Sequence, residues 1–426
     1  MFKTYIQKKL ENYVRLYFKA HPEVKLVVVT GSVGKTSTKV ATATVLSERF
    51  RVRLHEGNHN AEISAPLAIL GIDYPEDLRS IGSWLSIFRA AKARVNEPTD
   101  VDVIIQEVGS DRIGQVPHFG TYGHPDITVV TAVSPEHMEF FKTIDAVARE
   151  ELAAANYSGQ ALINRDDIDG EFAKYLTNPN ISTYGTSGNA EYHFVNEDFT
   201  IKDGYVGSFV AKDWQEPVSA HIKVVGEHSL RPAIAAAAVG VKLGLSATEI
   251  ASGLKKIHAI PGRMNILRGF DSTIIIDDTY NASPLADESA MRALYSLSVP
   301  ARIAVLGSMN ELGDMSAVEH QIVGQLCDPN QLAWVITVGE EAGKYIAPAA
   351  KAKGCQVKIC KTALQAGAFV RRVVEPGAAI LFKGSQGGIY LEEAIKIVLH
   401  STDDEEYLVR QSPDWIEIKT KFFSEQ

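Results

Sequence analysis

Residues 25–37 read Lys25-Leu26-Val27-Val28-Val29-Thr30-Gly31-Ser32-Val33-Gly34-Lys35-Thr36-Ser37. The run from Lys25 to Thr30 is apolar and β-branched without alternation, the pattern of a strand buried on both faces. Two glycines follow, and a helical pattern then runs from Lys35 to about Glu48. A glycine-containing loop between a buried strand and a helix brings backbone N–H groups and the helix dipole to bear on phosphate. Lys35 is placed to reach the β- and γ-phosphates of a nucleotide, and the Thr36 hydroxyl to bind magnesium. Gly31, Ser32, Val33, Gly34, Lys35, Thr36 and Ser37 are therefore the candidate phosphate contacts. A Walker A loop of the general spacing would carry a further glycine where Val29 stands, so this is a shorter form.

Outward from this loop, strands and helices alternate, which predicts an α/β fold of parallel sheets covered by helices. Further strands are expected at Val101–Glu107, Asp126–Ala132 and Ala161–Ile163. Short alternating segments from about Tyr192 to Val225, with Asp203–Gly204, predict an antiparallel hairpin patch. Helices are expected over Leu230–Leu243 and Ser246–His258, and Pro261–Gly262 then breaks the pattern. Alternation restarts with strands at Thr273–Asp277, Arg302–Gly307, Trp334–Val338 and Ala379–Lys383. This divides the chain into an N-terminal helix (1–24), a central phosphate-loop domain (25–261), a C-terminal Rossmann-like domain (262–400) and a charged tail (401–426) with a surface turn at Ser412–Pro413.

Length and composition agree with that division. A chain of 426 residues exceeds one ordinary core. With 45% hydrophobic and 22% charged residues it has a globular balance. A net charge of −9 leaves no electrostatic footprint for nucleic acid or anionic membrane, so phosphate must be bound locally. Cys327, Cys355 and Cys360 lack metal-ligand partners at finger-like spacing and read as reduced thiols of a cytoplasmic protein. The first 24 residues mix charges through their apolar positions, as an amphipathic helix does and a membrane span or signal peptide does not.

Several further segments, in order from Thr30 to about Glu393, resemble the Mur ligases of cell-wall synthesis, and most closely their D-alanyl-D-alanine-adding branch. They are Gly57-Asn58-His59-Asn60-Ala61-Glu62, Glu107-Val108-Gly109, Ser134-Pro135-Glu136-His137, Asn164-Arg165-Asp166-Asp167, Pro261-Gly262-Arg263, Asp277-Asp278-Thr279-Tyr280-Asn281-Ala282, Met309-Asn310-Glu311-Leu312-Gly313 with His320, and Lys383-Gly384-Ser385. The resemblance implies an ATP- and Mg2+-dependent ligase that converts a carboxylate to an acyl phosphate and joins it to an amine. Glu107, His137 and Thr36 would hold the metal, and Arg263 and Asp278 would contact ATP. Asn58, Asn60, Tyr280, Asn281, Asn310, Glu311 and Lys383 would surround the substrates. The partners implied are a small-molecule or UDP-linked peptide acceptor and an amino acid or dipeptide amine.

Four departures from the family pattern bear on this. The phosphate loop begins after room for one helix only, where the family carries a UDP-sugar-binding domain. The acceptor is then held elsewhere, is a different carboxylate, as in folylpolyglutamate synthases, or is bound by a partner subunit. The family's carbamylated lysine falls on Glu151 or, with a shift of two, on Arg149; Glu151 can imitate the carbamate's negative end and is the candidate catalytic residue beside Lys35 and His137. The pattern His-Asn-x-x-Asn reads His228-Ser229-Leu230-Arg231-Pro232, without either asparagine. The residues after Glu107 also differ. Two further alternatives are a phosphate-loop switch or kinase, which would need no second Rossmann-like domain with Lys383-Gly384-Ser385, and a non-catalytic nucleotide-binding subunit, opposed by intact Lys35, Thr36, Glu107, His137, Arg263 and Asp278.

Overall fold

Apolar strands that helices cover on both faces give two sheets, each belonging to one lobe of a computed structural model that describes residues 2–55, 62–75 and 77–425. Asn58 and Asn60 lie outside the described residues. The first lobe runs α1 (Phe2–Ala20), β1 (Lys25–Thr30), α2 (Lys35–Leu46), β2 (Val52–Leu54), α3 (Ser64–Leu70), α4 (Ile81–Asn96), β3 (Val103–Glu107), α5 (Gln115–Phe119), β4 (Ile127–Val130), α6 (Met138–Phe141), α7 (Ile144–Asn156), β5 (Gln160–Asn164), β6 (Ile181–Gly185), β7 (Tyr192–Thr200), β8 (Gly204–Ala211), β9 (Val218–Ile222), α8 (Leu230–Lys242) and α9 (Ala247–Lys255). The second continues with β10 (Asn265–Arg268), β11 (Ile274–Asp278), α10 (Pro284–Ser296), β12 (Arg302–Gly307), α11 (Ser316–Leu326), β13 (Trp334–Val338), α12 (Ala347–Ala352), β14 (Val357–Cys360), α13 (Ala363–Val373), β15 (Ala379–Lys383), α14 (Glu392–Val398) and α15 (Pro413–Ser424).

The first sheet has the order β2-β3-β1-β4-β5-β6-β7-β8-β9. β1 is central, parallel to β3 on one side and β4 on the other, with Val29 opposite Glu107. The chain leaves β1 for the far edge and returns to both its sides, so the loop after β1 opens at a switch point, where α/β sheets bind ligands. The antiparallel patch forms as expected over β7–β9, and β7 joins it to the parallel strands through β6. The second sheet has the order β10-β11-β15-β12-β13-β14, parallel except for β10.

Four short strands, β2, β6, β10 and β14, were not legible as apolar runs. β2 is half-buried along its length and β14 buries fully only Cys360. The tail departs from expectation: Ser412 and Pro413 begin helix α15 rather than form a surface turn. Proline at the first helical position lacks only an N–H that a helix leaves unbonded anyway. The rings of Trp415, Phe422 and Phe423 surround Tyr390. α1 is amphipathic as expected, burying Ile6, Leu10, Val14 and Tyr17. Among the described residues no helix is long and apolar enough to cross a membrane. The three cysteines are free and buried.

Helix α8 explains how α2 is held. Its residues from Ala233 to Val239 are all fully buried, and the small alanine side chains let it approach α2 closely. Gly253 on α9 completes the contact, since a Cβ there would lie 2.8 Å from the Val45 Cα. Alanine is the better helix former by about 1 kcal/mol. The backbone collision outweighs this, and overpacking of this kind costs about 1–3 kcal/mol. Gly253→Ala is expected to lower the melting temperature, which a thermal melt followed by circular dichroism checks.

Candidate functional site

The phosphate loop is built on two left-handed glycines, Gly31 (φ 124°) and Gly34 (φ 86°). A Cβ on Gly31 would press into Thr131 and come within 2.8 Å of the Ala132 amide nitrogen, so only glycine fits where β1 meets the turn after β4. Lys35 Nζ lies over the loop, donating to the carbonyls of Gly31 (2.5 Å) and Ser32 (3.1 Å), with Glu136 at 3.6 Å. Burial would push this ammonium down, but Glu136, Glu151 and Glu107 hold it above its ordinary value. Lys35 is therefore a fixed positive charge at the loop.

Glu151 sits beneath the loop on α7. Its Oε2 accepts from the Gly31 amide at 2.7 Å and from the Thr30 hydroxyl. Burial raises this carboxyl, while Lys35 and the Thr30 hydroxyl act against the rise. Glu151 is not among the residues lining the cleft, so its geometry is that of a support for the loop. Arg149 points away, its guanidinium 5.1 Å from the Tyr175 ring centre. The adjacent Glu150, unnoticed in the sequence, accepts from the Gly114 and Val116 amides at 2.7 and 2.8 Å and so fixes the loop that lines one cleft wall.

Beside Lys35, the Thr36 hydroxyl donates to Glu107 Oε2 at 3.1 Å and accepts from Arg263 Nη2 at 3.1 Å. Lys39 Nζ lies 3.4 Å from the same Glu107 oxygen. A hydroxyl and a carboxylate oxygen in contact beside a phosphate loop suit the hard magnesium ion. His137 is not grouped with them. Its Nδ1 is 2.7 Å from Glu311 of the second lobe, and its Nε2 is 3.5 Å from Asp111 and 3.7 Å from Glu136. Burial pushes the imidazole down, and Glu311, Glu136 and Asp111 more than reverse this, raising it. Both ring nitrogens thus face carboxylates, and the contact with Glu311 turns the imidazole toward the second lobe rather than toward Thr36 and Glu107. Among the described residues no cluster of three or more His, Cys, Asp or Glu side chains forms a ready metal cage.

The second lobe turns the carboxyl ends of β11 and β15 to the same cleft, with Asp278 opposite Lys383. Arg263 lies over the Tyr280 ring, 4.0 Å from its centre. Asp278 accepts from the Met264 amide at 3.2 Å and pairs with Lys383 Nζ at 2.9 Å. Lys383 also donates to the Asn281 carbonyl at 2.7 Å. The cleft between the lobes encloses about 1060 Å3, just above the upper end of the range of about 300–1,000 Å3 for small-molecule sites. Lys35, Thr36, Glu107 and His137 line it from one side, and Arg263, Asp278, Tyr280, Asn281, Glu311 and Lys383 from the other. Asn310 does not line it, since its amide is turned to the Gly387 carbonyl at 3.1 Å. His320 is fully buried, its Nε2 accepting from the Met309 amide at 2.9 Å, and is structural.

Where both asparagines are missing, Arg231 forms a network with the Asn164–Asp167 turn. Its Nε is 3.1 Å from Asp166 and its Nη1 2.9 Å from Asp167, while Asn164 donates to Asp167 at 2.8 Å. Burial pushes neighbouring His228 down to about 4, so this cleft wall holds a neutral imidazole.

Two family models match this arrangement: the Mur ligase middle domain over residues 29–240 and the Mur ligase glutamate ligase domain over residues 262–386. The chain belongs to the Mur ligase family. It is accordingly an ATP- and magnesium-dependent, ADP-forming ligase that makes C–N bonds. A relative, the UDP-N-acetylmuramoyl-tripeptide–D-alanyl-D-alanine ligase of Bacillus subtilis, is 27% identical over 88% of this chain and 76% of its own length. Two solved structures share the fold. MurF from Acinetobacter baumannii has a TM-score of 0.74 at 21% identity, covering 91% of this chain and 79% of its own. MurF from Thermotoga maritima in complex with ADP has a TM-score of 0.72 at 22% identity, covering 91% and 83%.

This Mur ligase also buries a carboxylate that gives no sign of itself in the sequence. Asp287, in the first turn of α10, is fully buried, and neither oxygen accepts a hydrogen bond from a described residue. Lys383 Nζ is the nearest cation, at 3.8 Å. Burial pushes the Asp287 carboxyl up to about 7, against the pull of Lys383. The folded chain therefore binds this proton more tightly than the unfolded chain, and stability is lost as pH rises through that value. Asp277, pushed up to about 6 by burial, adds an earlier decline. Asp287→Asn cannot titrate, so its melting temperature is expected to fall less than that of the wild type between about pH 5 and about pH 8. Parallel thermal melts across that range check it.

Proposed function

We propose that this Mur ligase joins D-alanyl-D-alanine, or a similar amino acid or dipeptide amine, to the terminal carboxylate of a cell-wall precursor peptide in the cytoplasm. The observation that carries this reading is the shared cleft, with a phosphate loop, Thr36 and Glu107 on one wall and Arg263, Asp278 and Lys383 on the other. A carboxylate and an amine do not condense unaided, because oxide is too poor a leaving group. Transfer of the γ-phosphoryl group of ATP to the carboxylate makes an acyl phosphate, which the amine attacks with loss of phosphate.

Lys35 and Arg263 neutralise charge on the transferring phosphoryl group, and the loop amides from Gly31 to Ser37 hold the phosphates in place. Thr36 and Glu107 hold magnesium, which when bound supplies further charge neutralisation. Glu151 acts from below by fixing Thr30 and Gly31, and His137 ties the lobes by pairing with Glu311. Asp278 contacts the nucleotide, while Tyr280, Asn281 and Lys383 face the amine. Division of the chain at Pro261–Gly262 into two domains lets closure exclude water, which would hydrolyse the acyl phosphate.

Phosphate release from ATP and magnesium is expected to require both UDP-MurNAc-tripeptide and D-alanyl-D-alanine. It is expected to fall by at least about 100-fold in Lys35→Ala. A colorimetric phosphate assay with each component omitted in turn checks this. Release that needs a different acceptor or amine would redirect the substrate assignment, and ATP binding without release under any pairing would retire the catalytic reading.

A further inference from the structure

Arg410 lies outside both matched domains, between α14 and α15, and is one of the few non-glycine residues in the left-handed region, with φ of 57°. That conformation costs an L-residue roughly 1–2 kcal/mol, and its side chain is only 5% exposed. The guanidinium grips fully buried Glu392 with two parallel hydrogen bonds, Nε to Oε1 at 2.7 Å and Nη2 to Oε2 at 2.6 Å. Its remaining donors reach back to the motif after β11. Nη2 donates to the Thr279 carbonyl at 2.7 Å, and Nη1 to the Tyr280 carbonyl at 3.2 Å. These carbonyls lie just past the strand, where ladder bonding stops. Next to Arg410, Val409 closes on the lobe junction, since a Cβ on Gly262 would stand 2.7 Å from its Cγ1. Gly262 in turn accepts at its carbonyl from the Tyr280 amide at 3.0 Å.

A buried ion pair alone is weak grounds for stability, so the target of the remaining donors matters more than the pair. Tyr280 is the residue whose ring carries Arg263, and Arg263 donates to the Thr36 hydroxyl across the cleft. An unbroken series of contacts thus runs from Glu392 through Arg410, the Tyr280 backbone, the Tyr280 ring and Arg263 to the phosphate loop. We infer that Arg410 is a positioning residue of the ATP site, holding Tyr280 so that Arg263 is aimed at the nucleotide phosphates. Only a planar fork can serve a carboxylate and two carbonyls together, and a lysine ammonium cannot reproduce it. The inference rests on the proposed phosphate contact of Arg263.

The test is a double-mutant cycle on the full chain, reading affinity for magnesium β,γ-methylene-ATP by calorimetry. Arg410→Lys and Arg263→Ala are each expected to weaken binding about tenfold, with the double variant no weaker than the worse single one. Lys419→Met removes the other cation near Glu392, at 3.5 Å, and is expected to lower the melting temperature without changing affinity. Unchanged affinity in Arg410→Lys, additive losses in the double variant, or an equal affinity loss in Lys419→Met would each overturn the positioning role. Unchanged affinity in Arg263→Ala would overturn it as well, by retiring the phosphate contact on which it rests. Because the readout is binding, failure of the proposed substrate pair in turnover leaves the cycle readable. If Arg410→Lys does not fold, Arg410→Leu combined with Glu392→Met removes both ends of the buried pair and reads the same affinity.

Discussion

The contact between Glu151 and the start of the phosphate loop constrains most of the first lobe. One carboxylate oxygen accepts from both the Gly31 amide and the Thr30 hydroxyl, which fixes the point where β1 stops being a strand. Gly31 has no room for a side chain because Thr131 and Ala132 pass directly over it. The loop is thus set from below by α7 and from beside by β4. Lys35 then lies among the charges of Glu136, Glu151 and Glu107, and its ammonium stays charged although burial opposes it. Removing any of these carboxylates would leave the lysine less fully compensated, a costly state for a buried charge.

The second constraint is that both sheets turn their carboxyl ends toward one cleft. Each lobe contributes a nitrogen-bearing side chain that reaches a partner on the other lobe at the mouth. Arg263 crosses to Thr36, and His137 crosses to Glu311. His137 and Glu311 both have positive φ, 50° and 66°, so the cross-lobe pair is made by two residues in an unfavourable backbone region. Strain of this sort survives only where surrounding structure imposes it, and it gathers at functional sites. Asp287, buried without a hydrogen bond beneath Lys383, is a second local cost at the same cleft.

The long elements were readable because burial on two faces writes a continuous apolar run, as in β1, β12 and β15. The elements that were missed lie at edges or have mixed burial, where the composition of a strand is not distinctive. At the tail, Ser412-Pro413 serves equally as a turn and as a helix start. In the folded chain Trp415, Phe422 and Phe423 of α15 pack around Tyr390, and buried Lys419 pairs with Glu393, contacts that a turn would not make. Glu150, Asp287 and Arg410 left no signal in the sequence, since an isolated charged residue reads as solvated until its surroundings are known.

By itself the sequence determined the α/β class, the phosphate loop with Lys35 and Thr36, and the membership suggested by motifs recurring in one order. These are local features, carried by residues adjacent in the chain or repeating with strand and helix period. Only the tertiary structure placed Glu151 beneath the phosphate loop and Arg149 against the Tyr175 ring, two residues apart on one helix and therefore on different faces. It also turned His137 toward Glu311, withdrew Asn310 from the cleft and brought Arg410 to Tyr280. Each of those outcomes depends on groups far apart in sequence meeting in a low-dielectric interior, where hydrogen bonding and charge pairing are enforced only after the chain has folded.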